Sequence, residues 1–312
     1  MKIVYMGTPD FSVGALEALI KAGHQITAVV TQPDKPKGRG KELQMSPVKQ
    51  CALKYDIPVF QPVKIKAQEE VSILRNFEAD IFIVAAFGQI LSEEILKMPR
   101  FGCINIHASL LPKYRGAGPI QRVILEGEKE TGITIMQMDQ GIDTGDILLQ
   151  SAFPIDPKET GDSLHDKLAE EGARLIVEAL EKIEAGEITP RKQKEEEASY
   201  AGMLQKSMGR IDWNKDAAQI ERMVRGLNSW PSAYTTYRGK TLKIWDSDIS
   251  ENETASEEVV PGMVTAVKKD AIYVRTGEKE LRITELQLEG KKRMAVKDFL
   301  LGYQIKAGEM LG

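Results

Sequence analysis

The first half of the chain alternates short apolar runs with longer amphipathic segments. Apolar or β-branched residues fill the runs 2–6, 25–31 and 81–86 and reappear at Val59. Segments with apolar residues at helical spacing separate these runs, at 11–22, 46–55 and 69–76. Strands that alternate with helices predict an α/β fold with a mostly parallel sheet, right-handed crossovers and a ligand site beyond the carboxyl ends of the strands.

The pattern changes after Ile155. Leu164, Leu168, Leu175 and Leu180 keep helical spacing within 163–186, which predicts a long helix. A polar stretch at 190–208 is typical of a linker, and a further helix is predicted over 215–227. Short strand candidates then follow, at 234–237, 242–245, 262–267, 271–275 and 281–288. Their spacing predicts a small antiparallel β-barrel, so we divide the chain into domains 1–189 and 209–312 joined by 190–208.

Composition is that of an ordinary globular protein with two cores, since 42% of the 312 residues are hydrophobic. Cys51 and Cys103 lie far apart without metal-ligand spacing, which argues against a disulfide framework or zinc site and indicates a reducing compartment. The first residues lead directly into a strand-like run, and the apolar stretch 81–87 is too short to span a bilayer. We therefore expect a cytoplasmic protein without a membrane segment.

Charge is unevenly distributed. Residues 209–312 contain 17 Lys and Arg against 16 Asp and Glu, whereas residues 1–208 contain 25 against 30. Several of the acids in the second part fall between Asp246 and Glu258, in what we predict to be a loop. The remaining surface of that part is then basic, which weakly favours a polyanionic partner despite the net charge of −4.

Candidate chemistry begins in the stretch CINIHASLLPKYRGAGPI, residues 103–120. Asn105 and His107 are two residues apart at the end of a strand-like run, so their side chains share one face. An Asn-x-His pair by itself also fits a hydrogen-bonded histidine that closes a strand. The loop that follows is rich in Gly, Pro and hydrogen-bonding groups, which favours a functional role. We interpret His24 and His165 as structural.

A second polar segment, MDQGIDTGDI at 138–147, follows the strand candidate 132–138. Its acids lie among glycines. Asp139 and Asp146 fit equally well a turn in which the carboxylates bond local amides. Asp143 is the stronger candidate for chemistry.

These segments resemble the signature of the folate-dependent formyltransferases: INIH, SLLPKYRGAGP and MDQGIDTGDIL occur in that order. MGTPDF, TQPDKPKGRGKELQMSPVK, RIDW and NSWPSAY extend the resemblance over essentially the whole chain, toward the methionyl-tRNA formyltransferase family. It implies a Rossmann-like first domain and an OB-like barrel. The implied reaction transfers the formyl group of 10-formyltetrahydrofolate to the amino group of initiator methionyl-tRNA, leaving tetrahydrofolate. Gly118 departs from the family, which more often has alanine there.

The resemblance also implies residue roles. Formyl transfer passes through a tetrahedral carbon whose oxygen gains negative charge, so donors are needed there. Asn105 and a protonated His107 can supply them, and Asp143 can favour that protonation and help to remove a proton from the attacking ammonium group. No metal is expected. Residues implied to bind the folate are Phe87, Gly88, Gln89, Ile90, Ser109, Leu110, Leu111, Pro112, Met138, Asp139 and Gly141.

Basic residues are the candidates for tRNA contact. Lys35, Lys37, Arg39 and Lys41 belong to one segment that Gly and Pro are expected to keep out of regular structure. By itself this segment fits a solvated basic loop, but the resemblance implies a grip on acceptor-stem phosphates, with Arg39 leading. Further candidates are Arg191, Lys192, Lys194, Lys206, Lys291, Lys292 and Arg293. We take a monomer as the default state.

Other functions are weighed against this one. A sugar-nucleotide N-formyltransferase shares the Asn, His and Asp residues, and the basic segment argues against it. Glycinamide-ribonucleotide formyltransferases carry a Gly-rich phosphate loop that the segment 7–10 lacks, and the chain is too short for a formyltetrahydrofolate dehydrogenase. A non-catalytic RNA-binding protein would not need Asn105, His107 and Asp143. An NAD-linked oxidoreductase would need a G-x-G-x-x-G fingerprint after the first strand.

Overall fold

A computed structural model describes residues 1–37, 42–250 and 259–312. These residues form two compact units. The first unit comprises Met1–Pro119, Glu130–Pro154 and His165–Ala201, and the second comprises Ile120–Lys129, Ile155–Leu164 and Gly202–Gly312. Residues 190–201, the first part of the linker that we predicted at 190–208, therefore belong to the first unit. The domain boundaries themselves stay a prediction.

The strands of the first unit are β1 (Lys2–Gly7), β2 (Gln25–Val30), β3 (Lys35–Lys37), β4 (Glu42–Gln44), β5 (Val59–Phe60), β6 (Ile81–Ala85), β7 (Cys103–His107), β8 (Glu130–Gln137) and β9 (Ile147–Pro154). Helices of the chain up to residue 185 are α1 (Val13–Lys21), α2 (Pro47–Lys54), α3 (Gln68–Arg75), α4 (Glu93–Leu96), α5 (Pro119–Glu126) and α6 (Gly161–Ala185). Local sequence sets several of these bounds. At α2, for example, the Ser46 hydroxyl accepts from the Lys49 amide and Pro47 occupies the first turn.

The main sheet of the first unit has the order β5-β2-β1-β6-β7-β8-β9. Pairing is parallel from β5 to β7 and antiparallel for β7 with β8 and for β8 with β9. The predicted α/β fold with a mostly parallel sheet is confirmed. Because β1, β2, β6 and β7 run in the same direction, Gly7, Val30, Ala85 and His107 all end their strands at one edge of the sheet.

The central strands are buried on both faces, as their continuous apolar runs indicate. Every residue of β6 is buried, and Val4, Met6, Phe82 and Val84 form one cluster with residues from α3 and α4. Rigid strands therefore carry the side chains at the sheet edge.

The second unit contains α7 (Ala217–Gly226), β10 (Ala233–Tyr237), β11 (Lys240–Ser250), β12 (Val264–Lys268), β13 (Ala271–Arg275), β14 (Glu280–Leu288), β15 (Met294–Ala295) and α8 (Val296–Gly302). Its antiparallel sheet has the order β10-β11-β14-β13-β12, and β15 pairs with β14. Ile244, Val274, Ile283 and Phe299 belong to its buried core.

The last residues of the chain join the two outer strands of this sheet. The Leu311 amide donates to the Gly262 carbonyl just before β12 at 2.8 Å, and the Gly312 amide donates to the Thr236 carbonyl of β10 at 3.1 Å. Trp213 also binds β10, because its indole N–H donates to the Thr235 hydroxyl at 3.1 Å. The predicted small antiparallel barrel is thus confirmed, with edges that are covered instead of exposed.

Two expectations from the sequence were wrong in detail, and one strand was missed. Lys35–Lys37 is not irregular, because it forms β3 and pairs with β4. Strand β9 was not predicted, since its half-buried residues lack strict alternation. Asp246 and Asp248 lie on β11 and not in a loop. Over the described ranges, the helices are too short or too polar to cross a membrane.

Candidate active site

Strand β7 places two polar side chains on one face of the first unit's sheet, near the carboxyl ends of its parallel strands. Asn105 and His107 are separated by the buried Ile106, and His107 is 5% exposed. The strand is paired on both sides, parallel to β6 and antiparallel to β8. The positions of both side chains are therefore fixed by a backbone that has little freedom to move.

Asp143 reaches the same place from the loop between β8 and β9. Its carboxylate accepts from the Asn105 amide group at 3.3 Å and lies 3.5 Å from Nδ1 of His107. The backbone amide of Gly116 donates to Oδ2, the carboxylate oxygen that also faces His107, at 2.8 Å. The structure thus brings together Asn105, His107 and Asp143, which come from two separate segments of the sequence.

The imidazole of His107 lies between two hydrogen-bond acceptors. Nδ1 faces the carboxylate of Asp143, and Nε2 lies 3.0 Å from the backbone carbonyl of Tyr114. A neutral imidazole has one N–H and satisfies one of these acceptors, whereas an imidazolium satisfies both. The ring therefore faces a hydrogen-bond acceptor at each of its two nitrogens.

Glycine is required where the loop approaches Asp143. Gly116 has φ of 106°, and a Cβ there would lie 2.8 Å from the Ala201 carbonyl oxygen. Any other residue would be strained and would collide with backbone. This explains why the loop carries Gly at the position whose amide binds the carboxylate.

The segment 109–112 is held by the neighbouring strands. Ser109 is fully buried, and its hydroxyl donates to the Lys113 carbonyl at 2.7 Å. Thr134 of β8 donates to the Ser109 carbonyl and accepts from the Leu111 amide, at 2.7 and 3.1 Å. Leu111 is 3% exposed, while Leu110 and Pro112 are half-buried. The backbone of this segment is ordered by its own hydrogen bonds, and a contact with folate stays a prediction.

The segment 87–90 begins just beyond β6. Phe87 is buried, and its carbonyl accepts hydrogen bonds from the side chains of Thr8 and Gln32, which follow β1 and β2.

The side chain of Gln89 donates to the Pro62 carbonyl and accepts from the Ile65 amide. Gly88 has φ of 84°, and Ile90 is 72% exposed. Ordered backbone at the carboxyl edge of parallel strands is where such sheets bind ligands.

The remaining candidates for folate contact follow β8. Met138 is half-buried and packs against the core cluster to which Phe87 also belongs. Asp139 accepts from the Gly141 amide and from the Thr144 hydroxyl, at 3.0 and 2.6 Å. Its carboxylate therefore stabilises a local turn, which is the structural alternative that the sequence left open for Asp139.

Sequence reasoning missed two residues behind the site. Arg115 is 1% exposed, and its guanidinium donates to Glu195 at 2.9 Å and to the Gln193 side chain at 3.1 Å. Gln193 in turn donates to the carbonyls of Asp143 and Gly145. Arg115 stands in the motif SLLPKYRGAGP, but Gln193 lies in the predicted linker, where no pattern marked it.

The basic candidates are dispersed over exposed positions. Lys35, Lys192, Lys206, Lys291 and Lys292 are exposed. Arg39 and Lys41 lie outside the described residues, as does the side chain of Lys37.

Three other cations have acidic or polar partners. Arg191 donates to the side chain of Gln150, Lys194 lies 2.7 Å from Glu197, and Arg293 pairs with Glu285. The Arg293 guanidinium also covers the Trp245 ring, 4.8 Å from its centroid.

The other chemistry-bearing residues have structural surroundings. Cys51 and Cys103 are buried free thiols, and burial raises the pKa of Cys103 to about 12. His24 contacts the amino terminus, and His165 packs edge-on against Phe11. Within residues 1–37, 42–250 and 259–312, no group of three or more His, Cys, Asp and Glu side chains is arranged to hold a metal ion.

The chain matches two family models, Formyl transferase over residues 1–180 and Formyl transferase, C-terminal domain, over residues 203–304. A methionyl-tRNA formyltransferase from Agathobacter rectalis is 54% identical over 308 residues, which cover 99% of this chain and 98% of that protein.

Solved structures show the same fold at lower identity. A sugar 3N-formyltransferase, WlaRD, crystallised with dTDP and 5-N-formyl-THF, has a TM-score of 0.66 at 21% identity, with 94% of this chain and 99% of that one covered. A methionyl-tRNA formyltransferase from Clostridium thermocellum has a TM-score of 0.53 at 20% identity, with 81% and 95% covered. Below 25% identity this likeness concerns the fold and does not choose between substrates.

Proposed function

The chain belongs to the formyl transferase family, and from that membership we propose that it transfers the formyl group of 10-formyltetrahydrofolate to the amino group of methionyl-initiator tRNA. The product is N-formylmethionyl-tRNA for translation initiation, and the chain acts as a cytoplasmic enzyme. Full-length identity of 54% to a methionyl-tRNA formyltransferase favours this substrate over an amino-sugar nucleotide.

The observation that carries the proposal is the convergence of an amide, an imidazole and a carboxylate at one point. Asp143 lies within 3.5 Å of both Asn105 and His107. Formyl transfer needs donors for a developing oxyanion and an acceptor for the proton of an ammonium group. One cluster in the first unit supplies both.

The reaction then proceeds without a covalent enzyme intermediate. Asp143 accepts a proton from the ammonium group of methionine, and the amine attacks the formyl carbon. The oxygen of the tetrahedral intermediate accepts a hydrogen bond from Asn105, and the positive charge of the His107 imidazolium stabilises it. The C–N10 bond breaks as N10 receives the second proton of the attacking nitrogen. Tetrahydrofolate and the formamide are released.

Folate binding is assigned to the segments that surround this cluster. The segment 87–90 and the residues Met138, Asp139 and Gly141 offer backbone groups to the pterin ring, with Phe87 and Met138 in one apolar cluster. The segment 109–112 borders the same site. Apolar walls with a few fixed polar groups are typical of cofactor sites.

Contact with tRNA is assigned to the basic candidates of both units. Exposed cations suit phosphates, because proteins bind phosphates mainly through charge. Arg39 is the first candidate for phosphate contact by resemblance alone, since it lies outside the described residues. Arg39→Ala should raise the KM for tRNA and leave the affinity for folate unchanged.

A substrate comparison tests the proposal. Purified protein with 10-formyltetrahydrofolate should formylate methionyl-initiator tRNA, with free methionine, uncharged tRNA and an amino-sugar nucleotide as parallel acceptors. We expect turnover with the charged tRNA alone. Efficient turnover of the amino-sugar nucleotide would transfer the assignment to a sugar-nucleotide N-formyltransferase, and the absence of turnover with any acceptor would contradict both.

A further inference from the structure

The carboxylate of Asp143 depends on an uncommon backbone conformation. Asp143 has φ of 55°, in the left-handed region that aspartate adopts more often than most residues but still infrequently. Such a conformation persists only where its surroundings hold it. The groups that bind the Asp143 backbone therefore decide where the carboxylate lies.

One side chain binds this backbone at two points. The primary amide of Gln193 donates one hydrogen to the Asp143 carbonyl and the other to the Gly145 carbonyl, each at 2.8 Å. The two carbonyls belong to the same turn, so a single rigid group clamps it. Gln193 lies 50 residues away from Asp143 in the chain, so this clamp is a tertiary contact.

The orientation of the Gln193 amide is itself determined. Its oxygen accepts from Nε of Arg115 at 3.1 Å. Arginine can only donate and backbone carbonyls can only accept, so a flipped amide would lose all three bonds. Arg115 is 1% exposed and donates from Nη1 to Glu195, which fixes the guanidinium in turn.

The segment that carries Gln193 is tied down on both sides. Arg191 and Ile147 exchange two backbone hydrogen bonds of 2.8 Å. Further along, the Arg115 amide donates to the Ser199 carbonyl at 2.8 Å, and the Ala201 amide donates to the Arg115 carbonyl at 2.7 Å. The residues 191–201 thus form a strap across the loop of the active site.

We propose that Gln193, oriented by Arg115, is a positioning residue that holds the Asp143 carboxylate against Asn105 and His107. This inference rests on the proposed function for its kinetic consequence, but not for its geometry. It assigns a role in the reaction to a segment that the sequence pattern presents as a linker.

The decisive variant is Gln193→Glu. It keeps the size of the side chain and its bond to Arg115 but replaces the donor with an acceptor, which faces two carbonyl oxygens. We expect kcat to fall about tenfold to a hundredfold, because small misplacements of catalytic groups have effects of that size. KM for the folate should change little. The kcat of Gln193→Ala should fall by a similar factor. Glu196→Gln changes an exposed side chain of the same strap, and its kcat should equal that of the wild type.

A readout without turnover separates this inference from the proposed function. The Gly116 amide proton donates to the Asp143 carboxylate, so its hydrogen exchange reports where the carboxylate lies. We expect faster exchange of this amide in Gln193→Glu, with an unchanged melting temperature. Wild-type exchange and wild-type kcat in both Gln193 variants would overturn the inference, as would a loss of activity explained entirely by a lowered melting temperature. Failure of the wild type to use methionyl-tRNA would instead count against the proposed function.

Discussion

The active-site cluster and the basic surface positions are held in opposite ways. Asn105, His107 and Asp143 have partners at short distances and little exposure, on strands and clamped loops. Lys192, Lys206, Lys291 and Lys292 instead extend from exposed positions. The contrast fits the roles that we propose for them, because chemistry at a formyl carbon needs exact positions, whereas recognition of a phosphate backbone needs charge at approximate positions.

The largest expected effect comes from removing a member of the cluster. His107→Ala and Asp143→Ala should each lower kcat by about a hundredfold or more, because each removes a group that we propose to act in the transition state. Binding of folate, measured by fluorescence or calorimetry, should be largely kept. Asp143→Asn keeps the shape and serves as the matched control for charge. Near-normal turnover in either alanine variant would remove that residue from the mechanism.

A smaller effect should follow from moving the cluster without removing any functional group. In Gly145→Ala the new Cβ would lie 1.8 Å from the Gln137 carbonyl oxygen, so the loop that carries Asp143 must shift. We expect kcat to fall about tenfold or more. Gly202→Ala, whose Cβ would meet nothing within 4 Å, is the control. Equal kcat values for the two variants would show that the loop tolerates displacement.

The surface cations should give a smaller and different effect. Lys291→Ala with Lys292→Ala should raise the KM for tRNA several-fold, leave kcat unchanged, and reduce the slope of log affinity against log salt by roughly one per cation that contacts a phosphate. Lys269→Ala removes an exposed cation of the same unit that has no proposed role. An equal response to all three substitutions would indicate general charge and not a site.

The smallest effect concerns Asp248, an acid of the second unit. The hydrogen bond from Lys158, at 2.5 Å, lowers the pKa of Asp248, with a further contribution from Arg282. The stabilisation is therefore present above the pKa of the unfolded carboxyl and is lost as the pH falls through the lower folded pKa. Because the pair is partly exposed, Asp248→Asn should cost less than about 1 kcal/mol near neutral pH.

Melting curves of Asp248→Asn and the wild type at neutral pH and near pH 2 measure this difference. The two proteins should differ at neutral pH and converge at acid pH. A difference that persists unchanged at acid pH would mean that Asp248 contributes by packing and not by charge.

Most of the fold follows from local pattern. The runs that become β1, β2 and β6 are apolar because both faces of a parallel sheet are covered, and α6 and α7 show their helical period directly. Strand β9 escaped prediction because its residues are half-buried without alternation. The β3 and β4 pair escaped because Gly and Pro are as typical of a short hairpin as of an irregular loop.

The sequence by itself determined the two-part organisation, the pair of Asn105 and His107 on one strand face, and the acidic loop with Asp143. Strand periodicity and turn composition are local properties, so they can be read along the chain. Only the tertiary structure decided that Asp143 meets β7, that Tyr114 offers its carbonyl to His107, and that Arg115 and Gln193 clamp the loop from behind. Those contacts join residues up to 78 positions apart, and hydrogen bonds of that range depend on how the chain packs and not on its local pattern.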